Sequence, residues 1–511
     1  MLGIPIGTKE FINNFVHETL APKMKALNRL REFPTQIAYH MLRLCLAPCS
    51  VFLVRALGDS YEYFADWNQK VERAVFELAD QLHDYDEFKG KEEEHWDEAT
   101  IAMFEEEMQR RARRKEITCH TERNFEIARK LIGLSSREGG LGIMLTSTVC
   151  KDAFLASTVN SLTILKARNI AHTISERTQQ FLSENENRLN QVLKINEDEQ
   201  QQQQQQQIEQ VRGIQKKLSS ITQQKLKKEV ETLLKEDKWL EPLFQDHQGE
   251  HVNRVLIKPP TETKTFQISN KIMQEIISQT LLLPNDFGMR NCYAKTQHKH
   301  NCQAANHMNA CANIGGNATR HTHAKHALEK IARMLEMPVR NEVVLAKKPN
   351  NRKEYRADIY LPESRALLDV TCVQTSQNHK TIKKAMLTAY ERKRTFYNNM
   401  KKSGDLLKQF NTGDIFIIPI VIGPRGQFFQ KSWDDLTQCL GIDNIKACRK
   451  EIRGKSQLIS SKQAPEKALF AISLLKALAF RVAVDTAIAA RKWQSDQIER
   501  WNLTGEQDIS L

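Results

Sequence analysis

Cysteine is scarce in this chain, ten in 511 residues, and no signal-peptide pattern marks its N-terminus. That combination excludes a disulfide framework and leaves the cysteines as reduced thiols or metal ligands. The late chain has no unbroken apolar run of membrane-spanning kind. Its most apolar stretch, Ala468 to Ala490, is interrupted by Lys476, Arg481 and Asp485 and reads as a packed helix. Residues 168–240 have almost no glycine or proline, so a long polar segment lacks the usual chain-breaking signals. Acidic charge is in deficit: the net charge is +13 and the pI about 9.1, which favours a polyanionic partner. The length accommodates roughly two to four domains with real cores. These features imply a soluble intracellular protein, nuclear or cytoplasmic, with no membrane partner.

What is present centres on Tyr355 to Val373, YRADIYLPESRALLDVTCV. Two runs rich in β-branched, aromatic and aliphatic residues, Tyr355 to Leu361 and Ala366 to Val373, predict short strands. Pro362, Glu363, Ser364 and Arg365 between them suit a turn. A four-residue loop pairs Leu361 with Ala366, and counting back sets Asp358 opposite Asp369. Opposed residues in a hairpin lie about 4.5–5.5 Å apart, and like charges there are destabilising. Either the two carboxylates share a divalent cation, for which Mg²⁺ has the right preference for hard oxygen ligands, or the register differs and each acid sits on a solvated edge.

The surrounding pattern predicts α-β-β-β-α-β. Residues 323–336 have helical spacing through Ala324, Leu328, Ile331 and Leu335. Asn341 to Ala346 is a short strand, and Asp414 to Ile422 a buried one. Lys380 to Lys402 is a helix with a stripe at Ile382, Met386, Ala389, Phe396, Tyr397 and Met400. A strand–helix–strand crossover of this length implies parallel pairing of its flanking strands. Lys393 falls on the stripe, either snorkelling along the core or placing a cation over the carboxylates.

R-A-D and D-V-T with ten residues between their acids, followed by E-R-K-R-T-F-Y at residues 391–397, resemble the PD-(D/E)XK restriction-like endonuclease. More narrowly, the region resembles the version at the C-terminus of LINE-type (non-LTR) retrotransposon proteins. Those carry an Arg-His pair opening a helix, matched by Arg320-His321, and a Cys/His cluster before it. The resemblance implies that Asp358 and Asp369 hold Mg²⁺ or Mn²⁺, that Lys393 adds positive charge, and that Arg320 and His321 contact DNA. Ala357 stands where the family usually has proline, and Thr371 where the wider superfamily puts its lysine; the lysine role therefore passes to Lys393.

The N-terminal part carries a second likeness. Leu2-Gly-Ile-Pro-Ile-Gly7, Leu42-Arg-Leu-Cys-Leu-Ala-Pro48, and Gly139-Gly-Leu-Gly-Ile143 with Ala153-Phe-Leu-Ala-Ser157 resemble the segment after the palm of LINE-type reverse transcriptases. The likeness implies thumb and connecting helices, and helical patterns over 9–28, 34–57, 61–83, 97–114 and 146–166 agree. The nearest string to a polymerase Y/F-A-D-D turn, Phe64-Ala65-Asp66-Trp67, lies in a helical pattern and lacks the second aspartate. The chain by itself is therefore not expected to polymerise.

Residues 168–240 contain the glutamine run Gln200 to Gln207. They also hold a broken heptad-like stripe through Leu189, Val192, Leu193, Ile195, Ile208, Val211, Ile214, Leu218 and Ile221. Such a segment forms a long helix or coiled-coil hairpin, with self-association through 168–240, or remains disordered. Pro259-Pro260 marks a linker. Cys292, His298, His300, Cys302, His307 and Cys311 then place six soft ligands in twenty residues. Zn²⁺ takes four such ligands: Cys302, His307 and Cys311, with Cys292 completing the site or His298 or His300 substituting.

The expected architecture is mixed. A mostly α-helical thumb-like region occupies 1–167, a long helical or coiled-coil insertion 168–258, and a linker with the zinc motif 259–318. A restriction-like α/β domain with a small mixed sheet occupies 319–460. A covering helix and tail follow at 461–511, with the helix packed through Leu469, Ile472, Leu475, Leu478, Val482 and Ile488. The expected activity is nicking of double-stranded DNA, with the element's RNA as a second nucleic-acid partner. The competing readings are a catalytically dead nucleic-acid-binding remnant and a helical interaction protein.

Overall fold

The computed structural model describes residues 7–57, 64–80, 122–168, 176–193, 213–235, 240–249, 254–260, 266–283, 316–347, 354–375, 381–412, 414–442 and 465–504, with scattered single residues between them. The chain is mostly helical with a small mixed four-stranded sheet. It divides into two compact units: Met1–His95, Thr121–Ser135 and Gly140–Leu233 in the first, Trp96–His120, Ser136–Gly139 and Leu234–Leu511 in the second.

In the first unit, Thr8 caps the helix Lys9–Asn28 by accepting the Phe11 N–H at 3.2 Å. The pattern over 34–57 forms a rod that changes pitch. It is α-helical over Thr35–Met41, π-helical over Leu42–Leu46, 3-10 over Ala47–Ser50 and α-helical again over Val51–Leu57. Pro48 accounts for the change: it has no N–H to return to the preceding turn, and its ring crowds the carbonyl there. By length and composition Thr35–Leu57, rather than Ala468–Ala490, is the stretch among the described residues long and apolar enough to cross a membrane. Half of its apolar window is buried, Tyr39 donates to the Leu141 carbonyl at 2.6 Å, and Ser50 and Thr146 share a 2.8 Å hydrogen bond, as in a core helix.

Phe64-Ala65-Asp66-Trp67 opens the helix Ala65–Leu78, in agreement with its helical pattern. In the glycine cluster the chain turns so tightly that a Cβ on Gly140 would lie 2.2 Å from the Leu134 carbonyl oxygen and 2.6 Å from that of Leu131. Those two carbonyls accept the Gly142 and Leu141 N–H groups, so only glycine fits. The helix expected over 146–166 is Thr146–Ala167.

Of the insertion, Glu176–Glu184, Glu186–Leu193 and Ile214–Leu234 are helices. The glutamine run and the charged segment 97–114 lie outside the described residues. Of the stripe from Leu189 to Ile221, the described residues Val192, Ile214 and Leu218 are buried with Leu155, Ala156 and Phe181.

In the second unit, strands β1 (Arg340–Lys347), β2 (Glu354–Leu361), β3 (Ala366–Cys372) and β4 (Phe416–Ile422) form a sheet in that order. β1–β2 and β2–β3 pair antiparallel and β3–β4 parallel, the last across the helix Ile382–Lys402. Arg365 takes a left-handed φ of 49° and donates its N–H to Pro362 at 3.2 Å, closing the turn so that Leu361 meets Ala366. One sheet face buries Ile359, Leu368, Val370, Ile418 and Ile420 with the helices Gly316–Met334 and Pro465–Thr504. The other packs Tyr360 and Leu367 against Tyr397 and Met400 of the crossover helix.

The stripe Ala324, Leu328, Ile331 and Leu335 is buried as its spacing requires. In the last helix Ile472, Leu475, Leu478 and Val482 are buried, but Ile488 is 41% exposed although Ala487, Ala489 and Ala490 around it are buried, so it lies on the outer face of the helix.

Candidate active site

The β2–β3 ladder runs Leu361–Ala366, Tyr360–Leu367, Ile359–Leu368 and stops. The next step would oppose Asp358 and Asp369. In place of a ladder bond, Asp358 Oδ2 accepts the Val370 N–H at 2.7 Å, so a side-chain carboxylate stands in for a backbone carbonyl where the strands part. The two carboxyl groups are close enough to affect each other's ionisation and are both buried. Two acids in one buried spot are costly unless charge is supplied from elsewhere.

Three further side chains converge on them. Lys393, one turn after Ala389 on the crossover helix, reaches both oxygens of Asp369, at 2.9 and 2.8 Å. Tyr397, one turn further and fully buried, donates its hydroxyl to Asp369 Oδ2 at 2.8 Å. From the helix on the opposite side of the sheet, His321 Nε2 lies 3.1 Å from Asp358 Oδ2. The acids are thus approached from both layers.

Burial opposes ionisation of both carboxyls, with different results. At Asp358 it is outweighed by the His321 hydrogen bond and charge and by the Val370 N–H, and the carboxyl is held below its ordinary value. At Asp369 burial prevails over the Lys393 ammonium, the neighbouring Asp358 charge adds to it, and the carboxyl is pushed up. Asp369 is therefore the member of the pair that takes up a proton first as pH falls. The hydrogen bond to Asp358 raises His321 against the opposing effect of burial. Burial, with Asp369 alongside, raises the Tyr397 phenol and keeps it a donor. Thr371, two residues beyond Asp369 and so on the same side of β3, has its hydroxyl buried without a hydrogen-bond partner.

Asp358, Asp369, Lys393 and His321 are therefore brought together. Arg320 is not: it is fully buried and turned to the C-terminal helix, where its guanidinium donates to Thr486 Oγ1 at 3.1 Å and also bonds Asn317. Successive helix positions point about 100° apart, so when His321 faces the acids its neighbour faces the core behind them. That placement corrects the expectation of a DNA-contacting Arg320. The whole Cys/His cluster, Cys292, His298, His300, Cys302, His307 and Cys311, lies outside the described residues.

Tyr397 was legible only as core, although a tyrosine on an apolar stripe, four residues after Lys393, needs a partner for its hydroxyl. Among the described residues no group of three or more His, Cys, Asp and Glu side chains forms a metal cage, so an ion here would rest on two carboxylates and water. No protein-family model matches the sequence, and no curated protein matches it.

Proposed function

We propose that the second unit is a metal-dependent DNA endonuclease of the restriction-like PD-(D/E)XK type. In this reading the chain is the C-terminal, polymerase-core-lacking portion of a LINE-type retrotransposon protein, which nicks double-stranded DNA to produce a primer end. The observation that carries the reading is the opening of the β2–β3 ladder at two buried carboxylates, with a lysine from the crossover helix seated on the second. Each acid has a base, Lys393 on Asp369 and His321 on Asp358, whereas a purely structural role would need only one such pair. A second acid in the same buried spot, beside an orphaned Thr371 hydroxyl, suits a cation and its water.

Asp358 and Asp369 would hold Mg²⁺ or Mn²⁺, which when bound activates water and stabilises charge on a phosphate. The chain's own groups do the rest. Lys393 and Tyr397 fix the orientation of Asp369, and Lys393 places positive charge where negative charge develops. His321 holds Asp358 ionised and keeps a partly exposed imidazole beside the acids, where a substrate phosphate would lie.

Two observations favour a second reading, a nucleic-acid-binding remnant: both Asp369 oxygens are already engaged, and Thr371 stands at the superfamily's lysine position. Nicking of supercoiled plasmid with Mg²⁺ or Mn²⁺ decides between them. The endonuclease reading expects nicks that vanish in Asp369→Ala while folding persists. Equal nicking by both proteins refutes it, and DNA binding without nicking in the wild type selects the remnant.

A further inference from the structure

A cavity of about 300 Å³ lies between the helices Gly316–Met334 and Pro465–Thr504. Helix geometry separates it from the acid pair. His321 is turned to Asp358, whereas His323, Ala327 and Lys330, spaced i, i+4 and i+7, share a different face and line the cavity. Its floor is apolar, with Ile331, Ala477 and Leu478, while His323, Lys330 and Arg481 supply basic groups and, among the described residues, no acidic side chain lines it. Asp485, buried at its edge, accepts from Arg481 Nε at 2.9 Å and bonds His323 Nδ1 at 2.6 Å. The carboxylate thereby orients both groups and leaves His323 Nε2 and the terminal guanidinium nitrogens for a ligand. Lys330 has no ion-pair partner among the described residues. A further cation stands close by: Lys258 lies 5.3 Å over the Phe266 ring, which packs edge-on against the lining residue Phe480 at 5.1 Å.

We propose that this cavity binds a nucleotide phosphate, with the phosphate on Arg481, Lys330 and His323 and the sugar or base against the apolar floor. The single carboxylate of Asp485 balances one of the two fixed positive charges, so the site retains positive charge and selects an anion. A guanidinium with two terminal nitrogens to offer, next to an ammonium, matches the several acceptor oxygens of a phosphate better than one carboxylate would. The volume is at the lower end for small-molecule pockets, enough for one nucleotide and too small for a duplex. The chain's excess of basic residues points to the same chemistry. None of this depends on the acid pair or on a metal.

The test uses the full chain and two probes, adenosine 5′-monophosphate and a 5′-phosphorylated single-stranded decamer, with binding measured by calorimetry and fluorescence anisotropy. The expected result is binding weakened at least tenfold by Lys330→Glu and by Arg481→Gln. Binding of the monophosphate identifies a free nucleotide as sufficient; binding of the decamer alone identifies a strand-borne phosphate. Lys330 is exposed and has no ion-pair partner among the described residues, so Lys330→Glu leaves the fold intact, as an unchanged circular dichroism spectrum would verify. Binding of neither probe, or equal binding by wild type, Lys330→Glu and Arg481→Gln, overturns the proposal. A failed nicking assay leaves it untouched.

Discussion

Replacing Lys393 by methionine keeps the length and most of the apolar stem of the side chain while removing the charge that faces Asp369. In the native protein that ammonium makes two contacts below 3 Å with a buried carboxylate, which also has a second carboxylate beside it. Removing one partner of a buried ion pair costs about 3–5 kcal/mol; Lys393 retains 28% exposure, so about 2–3 kcal/mol is expected near pH 8. The pH dependence follows from Asp369. Its carboxyl is already raised in the folded state, and loss of the ammonium raises it further. A carboxyl with a raised folded value favours the protonated fold at low pH and costs stability as pH rises through that value. The destabilisation should therefore be largest at pH 8 and shrink toward pH 5. Asp369→Asn should relieve it, so that the Asp369→Asn/Lys393→Met double variant is more stable at pH 8 than Lys393→Met alone. Because the chain has two compact units, a global melt mixes two transitions. Hydrogen exchange read by mass spectrometry on peptides from Ala366–Cys372 isolates the relevant one. Equal destabilisation at pH 5 and pH 8, or no relief from Asp369→Asn, refutes the account. Mg²⁺ adds an independent arm: if the acids bind it, the ion should restore more protection to Lys393→Met than to the wild type, since it supplies the missing charge.

Three further outcomes can be measured independently. His321→Ala should cost about 1 kcal/mol or less, because the imidazole is partly exposed. That loss should be fullest near pH 5–6, where the imidazolium forms, and fade as pH rises through the raised value of His321; denaturant titrations at pH 5.5 and 9 compare them. Gly140→Ala should destabilise the first unit by more than about 2 kcal/mol, since its Cβ meets backbone carbonyls that cannot swing aside, whereas a surface-like change within about 0.5 kcal/mol would contradict the turn geometry. Protein purified without chelators should contain one zinc per chain, lost in Cys302→Ser and Cys311→Ser; metal analysis finding none removes the zinc motif from the account.

Much of the second unit was legible in the sequence because local rules governed it. Four turn residues between two strand-forming runs set the hairpin register from Leu361–Ala366 to Ile359–Leu368, which brings both strands to Asp358 and Asp369 one step beyond the paired ladder. The 3.6-residue period placed Lys393 on the buried side of its helix, between Ala389 and Tyr397, and chose Ala324, Leu328, Ile331 and Leu335 for the core. These are short-range facts, and periodicity reads them directly. Tertiary packing decided the rest. Whether the ladder continued past Ile359 depended on Asp358 competing for the Val370 N–H, a contest between side chain and backbone that no spacing reveals. Arg320 and His321 look equivalent as a basic dipeptide, yet the C-terminal helix, reached more than 160 residues later, took one and the acid pair took the other. The same long-range docking buried the insertion's stripe against its own unit and closed a basic cavity between two helices distant in sequence. Periodicity says which face of a helix is apolar; only the assembled layers determine which neighbour that face meets, because contacts between distant segments depend on the whole packing and not on any one stretch of chain.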